Sequence, residues 1–132
     1  MGDRTSVSIY FRERDRKAVN QVFGYEADEY FSPWEGAIGG WWYEMNGGAC
    51  DEQEELVKMG IVFEGSHGAG SEYLPMVFAH DGFAFVEVCT DMDGTPMCYV
   101  VDGEVRGLEE VHKYKKILAN VHAIFKAEEE KP

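Results

Sequence analysis

The sequence predicts an α+β fold: an antiparallel β-meander of about four to six strands packed against a long C-terminal amphipathic helix, with two shorter helices. Three observations carry this. Residues 76–107 hold apolar, aromatic and β-branched runs (76–79, 83–90 and 97–101) separated by the pairs Asp81-Gly82, Asp93-Gly94 and Asp102-Gly103. Asp-Gly suits a two-residue type I′ turn, whose central residues both need φ > 0. Residues 108–126 place Leu108, Val111, Tyr114, Ile117, Leu118, Val121, Ile124 and Phe125 in one stripe at helical spacing, about 28 Å long, enough to cross several strands. The chain of 132 residues, 45% apolar and 14% aromatic, has the size and composition to bury one core. A single domain over residues 1–127 is expected, with 128–132 as a frayed acidic tail.

The remaining elements follow in order. Val7, Ile9 and Phe11 alternate along residues 6–11, the mark of a strand with one buried face. Ala18, Val19, Val22 and Phe23 give residues 14–23 an amphipathic helical pattern that Gly24 can close. Ser32-Pro33-Trp34-Glu35 fits a single capped turn. Residues 41–45, Trp-Trp-Tyr-Glu-Met, read as a strand ending at the turn pair Asn46-Gly47. Residues 50–59 read as a second helix, with Asp51, Glu52, Glu54 and Glu55 near the positive end of its dipole and Gly60 at its close. A short strand over 61–64 and a glycine-rich loop over 65–71 then lead into the meander.

Charge is distributed unevenly. Residues 1–17 carry five basic and three acidic side chains, and so do residues 111–132. Residues 18–110 carry nineteen acids against only Lys58 and Arg106, within a net charge of −13. Such a field disfavours nucleic acid and anionic membranes and attracts basic proteins or cations. No run approaches the roughly 18 apolar residues of a membrane span, and the first residues lack a signal-peptide core, so a cytoplasmic protein is expected. Cys50, Cys89 and Cys98 suit a reducing compartment as free thiols. A two-residue turn at Asp93-Gly94 would set Cys89 opposite Cys98, close enough for a disulfide, whereas a longer turn would separate them.

Several constellations invite chemistry. Gly65 and Gly70 have the spacing of a phosphate-binding loop, but Ser71 stands where its Lys belongs and Pro75 opposes the helix that must follow. Asp91, Asp93 and Gly94 fail as a calcium loop, because Cys89 and Val100 fall on its ligand positions, and are better read as turn residues. His67, His80, His112 and His122 lack metal-ligand spacing, so no metal or cofactor is expected. Ser66 beside His67 lacks a nucleophile context, and nothing marks a catalytic residue.

Two features suit a protein partner. Acids cluster at Glu26, Asp28 and Glu29 and again at Asp51, Glu52, Glu54 and Glu55, the second at a charge density comparable with duplex DNA. Trp34, Trp41 and Trp42 lie close by; on a strand Trp41 and Trp42 face opposite ways, leaving one exposed unless both faces are covered. An exposed Trp rimmed by carboxylates is a protein-binding anchor.

The run Trp42-Tyr43-Glu44-Met45-Asn46-Gly47-Gly48, with Tyr73-Leu74-Pro75 and the Asp-Gly hairpins after it, resembles the SUKH family of immunity proteins over about half of the chain. The N-terminal strand, the acidic helix after Gly48 and the loop 65–71 depart from that pattern. The charge pattern leads to the expectation of a non-catalytic acidic inhibitor that occupies the basic surface of a nucleic-acid-handling protein, of the anti-defence, nuclease-inhibitor or immunity type. The alternative is a small-molecule-binding or enzymatic domain whose pocket, at loop 65–71, uses Ser66, His67 and His80. A self-associating subunit, marked by a self-complementary apolar patch, is a third reading.

Overall fold

The computed structural model describes residues 4–32, 36–70 and 74–130. In chain order the elements are β1 (Arg4–Phe11), a 3-10 turn (Glu13–Asp15), α1 (Arg16–Phe23), β2 (Glu29–Phe31), β3 (Ile38–Asn46), a second 3-10 turn (Gly47–Ala49) and α2 (Cys50–Lys58). Then come β4 (Phe63–His67), β5 (Met76–His80), β6 (Phe85–Cys89), β7 (Tyr99–Val101), β8 (Glu104–Arg106) and α3 (Leu108–Glu129). Six strands form one antiparallel sheet in the order β2-β3-β1-β4-β5-β6, and β7 pairs only with β8. The α+β class, the long C-terminal helix and the two shorter helices are as the sequence predicts.

Alternation along β1 sorts the core into two layers. Val7, Ile9 and Phe11 face α1 and α2, together with Trp42, Phe63 and Phe78 from neighbouring strands and Val19, Phe23 and Leu56 from the helices. The opposite face carries Ala79, Val86 and Val88 beneath Ile117, Val121 and Phe125 of α3. One face of the sheet is thus covered by α1 and α2, and α3 covers the other over β4, β5 and β6. Gly24, in the left-handed region at φ 84°, ends α1 by donating its N–H to Asn20.

The structure corrects the sequence reading in four places. The meander does not continue through residues 76–107: β5 and β6 end the sheet, and β7–β8 stands apart as a separate hairpin. Of the three Asp-Gly pairs, Asp102-Gly103 alone forms the two-residue turn, with φ of 52° and 80° and Val101 facing Glu104. Asp81 instead caps a wider turn, its Oδ1 accepting the N–H groups of Phe83 and Ala84. Asp91 does the same for Asp93 and Thr95 inside a loop that closes with Thr90 opposite Pro96. That register separates Cys89 from Cys98, and all three cysteines are free.

The supposed glycine loop is the second correction. Gly65, Ser66 and His67 belong to β4, a central strand paired with β1 and β5. Glycine is required there: a Cβ on Gly65 would stand 2.1 Å from the carbonyl oxygen of Ser8 and 2.9 Å from the Phe78 ring. Third, α3 runs past Lys126 through Glu128 and Glu129; Glu128 reaches Arg14 at 3.1 Å and Arg12 at 3.7 Å. Fourth, Glu29–Phe31, read only as an acidic stretch, is the edge strand β2. The turn at residues 33–35, with Trp34, lies outside the described residues.

Trp42 is fully buried and stacks on Phe23 with ring centroids 4.2 Å apart, whereas Trp41 is 42% exposed. Trp42→Ala should therefore cost about 3–5 kcal/mol of unfolding free energy and Trp41→Ala less than about 1 kcal/mol, read from urea unfolding curves. Equal losses would contradict this division of the pair.

Candidate functional site

The exposed aromatic group sits on the β2–β3 edge of the sheet. Glu29 pairs with Trp41, and the N–H of Asp28 donates to the Trp41 carbonyl at 2.8 Å. Trp41 lies between Phe31, at 6.1 Å between ring centroids, and Tyr43, at 6.0 Å. Tyr43 ties both acids to this group: its N–H donates to Oδ2 of Asp28 at 2.7 Å, and its hydroxyl donates to the Glu29 carboxylate. The result is an aromatic ridge bordered by two oriented carboxylates. Among the described residues neither carboxylate pairs with Lys or Arg.

A bulge in β3 aims this ridge. Val7 pairs with Trp42 and Thr5 with Met45, so β3 carries an extra residue between them. Glu44 absorbs it at φ 54°, in the left-handed region where non-glycine residues are uncommon. Trp42 and Met45, three residues apart, consequently both enter the core, and Trp41 and Tyr43 share the outer face. Below them Tyr10 meets Phe31 edge to face at 5.4 Å. On the other side of the edge strand, Arg16 lies 4.1 Å over the Tyr30 ring, an arginine already held by an aromatic of β2.

The structure divides the residues that the sequence grouped as one partner surface. Glu26, Asp28, Glu29 and Trp41 are exposed at the β2 edge. Trp42 is core and presents nothing to a partner. Asp51, Glu52, Glu54 and Glu55 belong to α2, which lies beside β6: Cys50, Gln53, Glu54, Val57 and Lys58 border a groove of about 430 Å³ with Phe85 and Glu87. β2 and β6 are opposite edges of six strands, about 24 Å apart at the usual strand spacing. The two acidic clusters therefore form two surfaces.

The alternative pocket is divided as well. Ser66 lines an open groove of about 360 Å³ on the sheet face with Ser6, Ser8, Trp41, Asp91 and Met92. His67 also borders it, but its ring packs against Gly48 and near Phe78, and Nδ1 meets the Gly68 carbonyl at 2.8 Å. His80, almost fully buried beside Phe63, engages the Ile61 carbonyl through Nδ1 at 2.7 Å. Both histidines are core residues, and His80 does not reach the groove.

One cluster went unseen in the sequence. Glu64 points from β4 toward α3, buried, and pairs with His122. Burial raises its carboxyl above the usual range, and His122 only partly offsets this. Burial first, and then the charge of Glu64, raise the hydroxyl of Tyr10 and push that of Tyr114 up to about 12. The signal available was an acid inside the apolar run 61–64, a position where a carboxylate needs a partner. At the start of α2, burial and then Glu87, Glu54, Asp51 and Glu52 raise the Cys50 thiol, which makes it a poor nucleophile. Among the described residues no group of three or more His, Cys, Asp or Glu is placed to hold a metal ion, and no helix is long and apolar enough to cross a membrane.

Comparison with protein-family models, with curated proteins and with solved structures found no match for this chain.

A raised carboxyl pKa means that the folded chain retains a proton that the unfolded chain has released. Stability contributed by Glu64 is therefore present at low pH and declines as pH rises from about 4.3 through the raised value. Glu64→Gln should remove this decline, so that urea unfolding from about pH 4 to 8 gives a smaller loss on the alkaline side than in the parent. Superimposable profiles would show that Glu64 does not titrate with the fold.

Proposed function

We propose that this is a non-catalytic binding protein that captures a basic partner on the β2–β3 edge, with an arginine-rich surface of a nucleic-acid-handling protein as the target. The observation that carries this reading is the Trp41–Tyr43 ridge with Asp28 and Glu29 fixed along it. A guanidinium is attracted to the face of an indole and pairs with carboxylates in bidentate fashion, so this arrangement suits arginine better than a hydrated ammonium. The exposed aromatic area supplies the desolvated centre of an interface and the carboxylates its charged rim.

The acidic field supports the choice of partner class. A net charge of −13 accelerates encounter with basic surfaces and repels nucleic acid itself. Proteins that grip phosphate backbones present rows of Arg and Lys, which an acidic ridge can occupy in place of the nucleic acid. Inhibition of the anti-defence, nuclease-inhibitor or immunity kind follows from such occupancy. The acids of α2, on the opposite edge, act in steering rather than in contact.

The test is affinity capture from host lysate at low and high salt, with the retained proteins identified by mass spectrometry and then assayed for nucleic-acid binding. A basic protein should be retained at low salt, released at high salt and displaced from its nucleic acid by this chain. Combining Trp41→Ala with Asp28→Asn and Glu29→Gln should weaken its capture about a hundredfold, in line with the loss of an anchor residue. Neutralising Asp51, Glu52, Glu54 and Glu55 should slow association and leave dissociation unchanged. Equal capture by the triple variant and the parent would overturn this reading.

A further inference from the structure

The β7–β8 hairpin hydrogen-bonds to no other strand among the described residues. All six strand residues are exposed, among them Tyr99, Val100, Val101 and Val105, the last at 64%. An isolated two-stranded ribbon is marginal in water, and one with apolar side chains exposed on both faces gains little from its own contacts.

We infer that a second copy of this chain pairs with the free edge of this hairpin, β8 against β8, antiparallel about a two-fold axis through Val105. The register and the charges specify this arrangement. Val101 faces Glu104 across the two-residue turn, and Tyr99 faces Arg106. In such a hairpin the residues flanking the turn exchange main-chain hydrogen bonds, and the pattern alternates along the strand. Glu104 and Arg106 thus direct their N–H and C=O groups toward β7, and Val105 directs both of its groups outward. Val105 of two copies can then exchange a complete pair of hydrogen bonds across the axis.

That pairing sets Glu104 of each copy opposite Arg106 of the other, at the closer, non-hydrogen-bonded positions where side chains meet. Within one copy the same two side chains already reach across 3.7 Å on one face. Centring the axis on Glu104 or on Arg106 would instead oppose like residues, so the sequence Glu-Val-Arg admits one favourable register. Val100 and Val105 share the other face of the hairpin and become a four-valine ladder in the joined sheet. The charge of −13 on each copy opposes association, and salt at about 0.15 M, with a screening length near 8 Å, limits that opposition to the contact region.

Sedimentation velocity over a range of concentrations at that salt tests this. The parent chain should show a concentration-dependent monomer–dimer equilibrium. Glu104→Arg alone and Arg106→Glu alone each oppose like charges and should raise the dissociation constant roughly tenfold or more. An equimolar mixture of the two single variants restores both pairs between unlike copies and should dimerise at least as well as the parent. The double variant, with the charges exchanged, should dimerise as the parent does. A parent that stays monomeric up to millimolar concentration, single variants that associate like the parent, or a mixture no better than its components would each overturn the inference. Trp41→Ala leaves this equilibrium unchanged, which separates it from capture of a basic partner.

Discussion

The hydrogen bonding of β1 on both of its edges is the constraint from which the rest of the structure takes its position. β1 is held between β3 and β4, so its side chains must alternate between the two faces of the sheet. Val7, Ile9 and Phe11 commit one face to the α1–α2 layer, and Ser8 and Tyr10 fall on the other. Once β1 is fixed, β4 has to approach it closely enough that Gly65 admits no side chain. Phe78 then fills the space that a larger residue would have taken, and the core closes around it.

The same geometry leaves one part of the sheet open. α3 covers β4, β5 and β6 but does not extend over the outer part of β3, where Trp41 and Tyr43 emerge. Burial of Trp42 and exposure of Trp41 are two results of one alternation, and the bulge at Glu44 keeps Met45 in the core without disturbing them. An edge strand with free main-chain groups is a hazard for uncontrolled pairing. Here β2 is only Glu29–Phe31, and Glu29 with the preceding Asp28, both held by Tyr43, discourages indiscriminate addition of another strand. β6, at the other edge, is flanked by α2 and by α3.

What could be read from the sequence was local. The stripe from Leu108 to Phe125 located α3, alternation located β1, and Asp102-Gly103 located a tight hairpin. Each of these depends on neighbours a few residues apart. The second half of β4 was hidden because Gly65-Ser66-His67 has the composition of a loop, and only contact with Ser8 and Phe78, distant in the chain, makes glycine the fitting residue. Whether β7 and β8 would join the sheet also depended on pairing beyond the hairpin. For the candidate site, the sequence identified Trp41, Asp28 and Glu29 and the opposition of the two tryptophans. It could not assign Trp42 to the interior, or place α2 beside the far edge, since both follow from the strand order. Glu64 and His122 lie on different elements and meet only when α3 packs on the sheet.

The position of β1 also sets the loop lengths that the sheet must close. β5 and β6 are joined by four residues and can pair as soon as both exist, whereas β1 must close over residues 12–62 to reach β4. That longer closure costs about 2 kcal/mol more in chain entropy, before any side chain is buried. β1 therefore carries the least local pairing of the sheet, the kind that slows folding. Without it, β3 and β4 would each present an unpaired edge, and the sheet would fall into two incomplete parts, β2-β3 and β4-β5-β6. By pairing with both, the first strand of this fold acts as its keystone.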